Sequence, residues 1–228
     1  RFSAMVTTRT PRSQSWNATS AASARRTSAG RPRSRSCCTS ACTAAQRART
    51  GALIDRFRDR AVFPIEHRGD VLGFVGRRHP EAGDEDRKGP KYLNTGDTPL
   101  FHKGAQLYVS DPHLLRQGAT PVLVEGPMDA IAVTLAGDGR YVGVAPLGTA
   151  LTPEQATQLA GTEVTPVVAT DADLAGRVAA ERAYWMLALR GIDPWTADLP
   201  DGSDPADVLR EGGPAALAAS RASRSAMR

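Results

Sequence analysis

Cysteine is scarce in this chain and poorly placed for structural work: only Cys37, Cys38 and Cys42 occur, all within the first fifty residues. With no second pair and no spaced histidines they form no zinc ribbon, so no zinc site is expected. An odd number outside the presumed core makes no disulfide framework either. No run of about 18 apolar residues exists, which excludes a transmembrane helix and a membrane partner. The amino-terminal stretch is Arg-rich without an apolar segment, which excludes a secretory signal. A cytoplasmic protein is the expectation. Aromatic residues make up 5% and hydrophobic residues 41% of the 228 positions, enough for one medium domain or two small ones.

What is plentiful is charge, unevenly spread. The formal net charge is +5, but residues 1–50 hold ten Arg and no Asp, Glu or Lys. Residues 51–120 sit near neutrality at +1, and residues 121–228 carry −6. An acidic half beside a neutral one does not describe a simple polyanion-binding surface. It suits a place where carboxylates collect cations that then meet phosphate.

Residues 1–50, rich in Arg, Ser, Ala and Thr, bury too little apolar surface to offset roughly 1–2 kcal/mol of backbone entropy per ordered residue. A disordered arm is expected there; a basic arm tracking a nucleic-acid backbone is the functional alternative. Order begins near Leu53. The apolar runs Ala61–Ile65 and Val71–Val75, joined by a polar link containing Gly69, read as a β-hairpin. Residues 79–90 read as a loop, with short strands at Tyr92-Leu93 and Leu107–Val109.

From Thr120 the pattern changes. Pro121–Val124 is a continuous apolar run, as in a strand buried on both faces, followed by helical spacing over Met128–Ala136. Strands are expected at Tyr141–Ala145, Thr165–Ala169 and Trp195–Leu199. Helices are expected at Pro153–Leu159, with Thr152 as N-cap and Gln155 at N3, at Leu174–Arg190 ending on Gly191, and starting at Pro205–Glu211. Strands alternating with helices at this spacing call for an α/β fold, a parallel-rich central sheet flanked by helices.

In such a sheet, ligands gather where the strands end and helices begin. Carboxylates recur at those places: Glu125 and Asp129 after the first strand, Asp171 and Asp173 after the third, and Asp201, Asp204 and Asp207 after the fourth. Like charges brought together repel unless a cation neutralises them, and hard divalent ions with oxygen ligands are the usual solution. Each element alone is commonplace, since an Asp-x-Asp is more often a turn or cap. Strand–Glu-Gly, strand–Asp-x-Asp and strand–Asp-Pro in that order make the functional reading.

The segments Val124-Glu125-Gly126-Pro127-Met128-Asp129, Asp171-Ala172-Asp173 through Arg177, and Gly202-Ser203-Asp204-Pro205 resemble the Toprim motifs of bacterial DnaG-type primases. Upstream, Asp55-Arg56-Phe57-Arg58 to Phe63-Pro64-Ile65, Gly73–Arg77, Pro90–Asn94, Phe101–Gly104 and Leu147–Ala150 resemble further motifs of that family, in its own order, over about residues 53–213. Three positions depart from it: Pro127 stands where Tyr is usual, Ala172 where Gly is usual, and the last motif reads Asp204-Pro205-Ala206-Asp207 rather than Asp-Pro-Asp.

The resemblance implies residues 1–50 as the arm, 51–118 as part of an amino-terminal polymerase subdomain that is small and β-rich, 119–213 as a Toprim domain and 214–228 as a tail. It implies metal-dependent nucleotidyl transfer that makes short RNA primers on single-stranded DNA from NTPs, by a partial form of the core. Glu125, Asp171 and Asp173 would be catalytic. Glu125, Asp129, Asp171, Asp173 and Asp204 would hold two or more Mg²⁺ or Mn²⁺ ions. Arg77, Lys91, Tyr92, Asn94 and Lys103 would meet template and nucleotide phosphates. A replicative helicase would be a partner through parts that have no counterpart here. Two other functions share the motifs: a Toprim nuclease, and a nucleic-acid-binding remnant of a primase that lacks the chemistry.

Overall fold

A computed structural model of the chain describes residues 53–79, 89–148 and 150–219, with short strand segments at Val6–Thr7, Ala45–Arg47 and Ala222–Arg224. Contacts divide it into two compact units, Arg1–Gly96 and Asp97–Arg228. The expected arm over residues 1–50 lies outside the described residues, apart from Val6–Thr7, which pairs with Ala61 and Val62, and Ala45–Arg47, which pairs with Leu53–Asp55. Of the expected loop over 79–90, residues 80–88 also lie outside them.

In the first unit, β1 (Arg60–His67) and β2 (Asp70–Arg78) form the expected hairpin, with β3 (Tyr92–Asn94) antiparallel to β2. The turn is Arg68-Gly69, both at positive φ (52° and 89°), the two-residue geometry that matches the twist of paired strands. Phe57 is buried, and its ring lies where a Cβ on Gly76 would be only 2.6 Å away. The glycine lets the aromatic ring settle on the strand.

The second unit is a six-stranded sheet of β4 (Leu107–Val109), β5 (Thr120–Leu123), β6 (Tyr141–Pro146), β7 (Val167–Val168), β8 (Trp195–Ala197) and β9 (Ala222–Arg224). Its spatial order is β9-β8-β7-β5-β6-β4. The four central strands are parallel, and β4 and β9 join antiparallel at the two sides. Helices α1 (Pro112–Arg116), α2 (Pro127–Ala136), α3 (Pro153–Ala160), α4 (Leu174–Ala188) and α5 (Pro205–Ala219) make the connections. Leu107, Leu123, Val144, Leu159, Val168 and Leu187 centre the core. Among the described residues no helix is long and apolar enough to cross a membrane.

Several elements differ from expectation for local reasons. Helix α1 was not anticipated; the Asp111 carboxylate caps it by accepting from the His113 and Leu114 amides at 2.9 and 3.2 Å. The strand expected over Thr165–Ala169 narrows to Val167–Val168: Pro166 before it has no N–H to give a ladder, while the Ala169 amide after it still donates to the Leu123 carbonyl at 2.8 Å. Helix α5 runs on to Ala219 across a break at Gly213 (φ 70°, ψ −175°), so part of the expected tail is helical and β9 follows it. Helix α4 ends on Leu189 as C-cap, with Gly191 (φ 76°) taking the left-handed position two residues on.

Helix α2 lies unusually close to β6. A Cβ on Gly143 would come within 2.0 Å of the Ala130 carbonyl oxygen, and the Gly143 amide donates to Thr134 Oγ1 at 2.8 Å. Gly143→Ala is therefore expected to overpack this seam and cost about 1–3 kcal/mol or more. Chemical denaturation checks this, with Gly96→Ala, in open space and without a left-handed backbone, as a near-neutral comparison.

Candidate metal and phosphate site

The chain leaves β5 toward β6 on one side, while β7 returns on the other side of β5. The crevice beyond the carboxyl ends of β5 and β7 is thus the switch point of the parallel sheet, where open α/β folds place ligands. Glu125 stands two residues past the end of β5, and Asp171 and Asp173 follow β7. The Asp171 amide donates to Glu125 Oε1 at 3.2 Å, so two strand ends meet through one hydrogen bond.

The next loop along the carboxyl rim is fastened to this pair by backbone. The Ala172 amide donates to the Ser203 carbonyl at 3.0 Å, and the Gly202 amide to the Ala172 carbonyl at 2.8 Å. The residue between the two aspartates therefore acts through its main chain, which alanine supplies as well as glycine. Asp173 caps α4, its Oδ1 accepting from the Gly176 amide at 2.7 Å, and a Cβ on Gly176 would fall 1.9 Å from the Asp171 carbonyl oxygen. Asp204 Oδ1 accepts from the Asp207 amide at 2.6 Å at the start of α5. Asp129 sits in the first turn of α2, which packs on α5.

The electrostatics record how tightly these carboxylates crowd. Burial first, then the charges of Asp204 and Asp171, push the Asp129 carboxyl up to about 7. Burial, then Glu125, Asp204, Asp173 and Asp207, raise Asp171 to about 6. Asp171 Oδ1 is buried and has no hydrogen-bond partner among the described residues. Asp207, next to the place where the late aspartate was expected, is held at 2.7 Å by Arg210. All five carboxylates expected to bind metal thus share one electrostatic neighbourhood. Among the described residues no three His, Cys, Asp or Glu side chains already form a closed coordination set. The donors are all oxygen, and one buried carboxylate oxygen is left without a partner among the described residues, a chemistry that fits a hard divalent cation.

The expected phosphate-binding residues fall into two groups. In the first unit Arg77 pairs across the ladder with Tyr92, its guanidinium 4.9 Å from the ring centroid, and Lys91 Nζ lies 5.9 Å from the same ring. Asn94 closes β3, its carbonyl accepting from Arg56 at 3.3 Å. Lys103 belongs to the second unit. Leu107 pairs with Pro146 at the carboxyl end of β6, so the Lys103–Gln106 segment just ahead of it lies along the same rim as Glu125. One residue that the sequence did not single out is Arg60, buried in β1, whose guanidinium donates to the Gly76 and Lys91 carbonyls at 3.3 Å. An arginine at an inward strand position was its only signal.

A switch-point crevice with an acidic cluster fed by β5, β7 and β8 defines a Toprim-type domain. Comparison with known proteins agrees. Residues 16–113 match the family described as DNA primase catalytic core, N-terminal domain, and residues 122–209 match the Toprim-like family. The DNA primase of Clostridium acetobutylicum is 39% identical over 164 residues, which are 71% of this chain and 26% of that protein. The DNA primase of Aquifex aeolicus is 38% identical, over 72% of this chain and 32% of its own length. The RNA polymerase domain of Mycobacterium tuberculosis primase DnaG superposes with a TM-score of 0.66 at 30% identity, covering 80% of this chain and 61% of that one. A DnaG primase catalytic domain solved bound to single-stranded DNA superposes at 0.62 with 35% identity, covering 78% and 55%. The two matched stretches, together most of the chain, are thus similar to the catalytic core of bacterial DnaG-type primases. The chain spans about a quarter to a third of the length of the curated primases it matches.

Asp129 and Asp171 hold protons in the folded chain that an unfolded chain would release at the usual carboxylate value. Stability therefore falls as pH rises from about 4 through 7, and the penalty is fully present above pH 7. In chelator-treated protein, Asp129→Asn is expected to raise the melting temperature at pH 8 by about 3–8 °C and to change it far less at pH 4. Thermal melts at the two pH values check this, and an equal effect at both would contradict it.

Proposed function

We propose that this chain is a primase-type, DNA-directed RNA polymerase core segment, joining NTPs into short primers on a single-stranded DNA template. The observation that carries the proposal is the coupling of Glu125, Asp129, Asp171, Asp173 and Asp204 at one switch-point crevice, with the Asp171 carboxylate left short of partners. Template, NTPs and, beyond this segment, a replicative helicase are the partners such a role requires, in the cytoplasm where bacterial replication takes place.

The residues divide the work. Glu125, Asp171 and Asp173 hold the reacting end, with Asp129 and Asp204 completing an all-oxygen donor set for two or more Mg²⁺ or Mn²⁺ ions. When bound, those ions supply activation of the attacking 3′ oxygen and neutralisation of the departing pyrophosphate. Asp173 and Asp204 each spend one oxygen on a helix cap, which fixes their direction and leaves the other free. The amide of Asp171 orients Glu125.

On the cationic side, Lys103 on the carboxyl rim takes a phosphate group. Arg77 and Lys91 stand over the Tyr92 ring and offer a charged, stacked surface to template phosphates and bases. Asn94 adds a polar contact at the end of the same strand. Arg60 keeps that surface in place by gripping the Lys91 carbonyl from below.

Incubation with labelled NTPs, Mg²⁺ or Mn²⁺ and a single-stranded template is expected to give short RNA products. Asp171→Asn is expected to reduce them at least about a hundredfold. Absence of product from the unaltered chain at every metal concentration would remove the catalytic claim. Template cleavage that depends on Glu125 would replace it with a nuclease.

A further inference from the structure

Lys103 has an exposed side chain on a strongly restrained backbone. Its own short 3₁₀ turn, Lys103–Ala105, has no side-chain cap. Restraint comes instead from outside the turn, and most of it from one helix. The Gln155 side-chain amide donates to the Lys103 carbonyl at 3.0 Å and to the Gln106 carbonyl at 2.8 Å. Thr152 Oγ1 donates to the Gly104 carbonyl at 2.6 Å. Gln158 then secures the exit, its Nε2 donating to Gln106 Oε1 at 3.1 Å and its Oε1 accepting from the Leu107 amide at 3.1 Å. From the other direction, the Lys103 amide donates to Asp97 Oδ1 at 3.3 Å.

Gln155 stands at the centre of this arrangement. It is 1% exposed, and every polar atom of its amide is engaged. Its Oε1 accepts from the Thr152 amide at 3.0 Å, closing the capping box of α3, while both Nε2 hydrogens go to the lysine-bearing segment. Glutamate at this position would serve the cap equally well, since capping boxes use Glu or Gln alike. Only an amide can also clasp two carbonyls. The choice of Gln over Glu therefore has no reason within the helix and a clear one in the neighbouring turn.

The geometry points to Gln155 as a positioning residue: it ties the start of α3 to the Lys103 turn and fixes where the lysine ammonium is presented along the carboxyl rim. It rests on the proposal that Lys103 meets a phosphate group. The ammonium is a compact charge on a flexible stem, so its aim depends on the backbone beneath it. Release of the Lys103 and Gln106 carbonyls leaves the lysine present and charged, but spread over more positions, with its phosphate contact weakened.

Gln155→Glu is the discriminating variant. It keeps the acceptor toward Thr152, and in no protonation state can it donate to both carbonyls. Gln158→Met loosens the same segment from a half-buried position and serves should the first variant fold poorly. Two probes distinguish the source of the phosphate: a fluorescein-labelled oligothymidylate followed by anisotropy, and ATP with Mg²⁺ followed by calorimetry. In one of these arms Lys103→Ala and Gln155→Glu are each expected to weaken binding about tenfold, the scale of one charge-assisted hydrogen bond. The double variant is expected to lose no more than either alone, because both remove the same contact. Losses that multiply, or Gln155→Glu binding as tightly as the unaltered chain where Lys103→Ala does not, would overturn the positioning role alone. No loss from Lys103→Ala in either arm would overturn the phosphate contact and the positioning role with it.

Discussion

Carboxylates repel, and the whole second unit is arranged around holding several of them together against that repulsion. The restraint is mostly main chain. Ala172 exchanges two hydrogen bonds with the Gly202–Ser203 loop, the Asp171 amide reaches Glu125, and Gly176 lets α4 press against the Asp171 carbonyl. None of these bonds uses the second oxygen of Asp173 or Asp204, so the scaffold fixes the positions of the acids without consuming their capacity. The electrostatic cost is visible in the displaced protonation of Asp129 and Asp171. Sites that hold unfavourable charge in readiness commonly do so because a cation, when it arrives, converts the cost into binding energy.

The opposite charge is treated differently. In the first unit Arg77 and Lys91 share the Tyr92 ring, and Arg60 beneath them is buried with its guanidinium spread over two carbonyls. Burial, and after it the nearby Arg78 charge, lower the Arg60 pKa from its ordinary value. Acids are thus ordered by backbone, whereas the exposed cations are ordered by aromatic contact and by side chains that grip their carbonyls. Gln155 beneath Lys103 and Arg60 beneath Lys91 are two cases of the same solution.

Much of this was readable in the sequence where the physics is local. The capping box at Thr152 and Gln155, the strand run ending at Val124 and the hairpin about Gly69 all follow from neighbours a few residues apart. The recurrence of acids after successive strands indicated that they would meet, and the sheet order explains how. Other features depend on partners far along the chain. Gln155 could be read as a cap, but its clasp on Lys103 spans 52 positions and leaves no local trace. Arg60 stands just ahead of the apolar run Ala61–Ile65, and only the fold buries it. The continuation of α5 past Gly213 was hidden because Gly-Gly-Pro normally ends a helix, and here it only interrupts one.

The lateral strands of the sheet carry a consequence of their own. Parallel strands such as β6 and β8 would offer a row of unpaired backbone groups to other chains if they stood at the sides of the sheet. Here β4 and β9 flank them, each three residues long and reversed in direction, so the outermost backbone offers few unpaired groups in any one row. Such short terminal strands are poor templates for intermolecular pairing, and they guard the molecule against aggregation at the flanks.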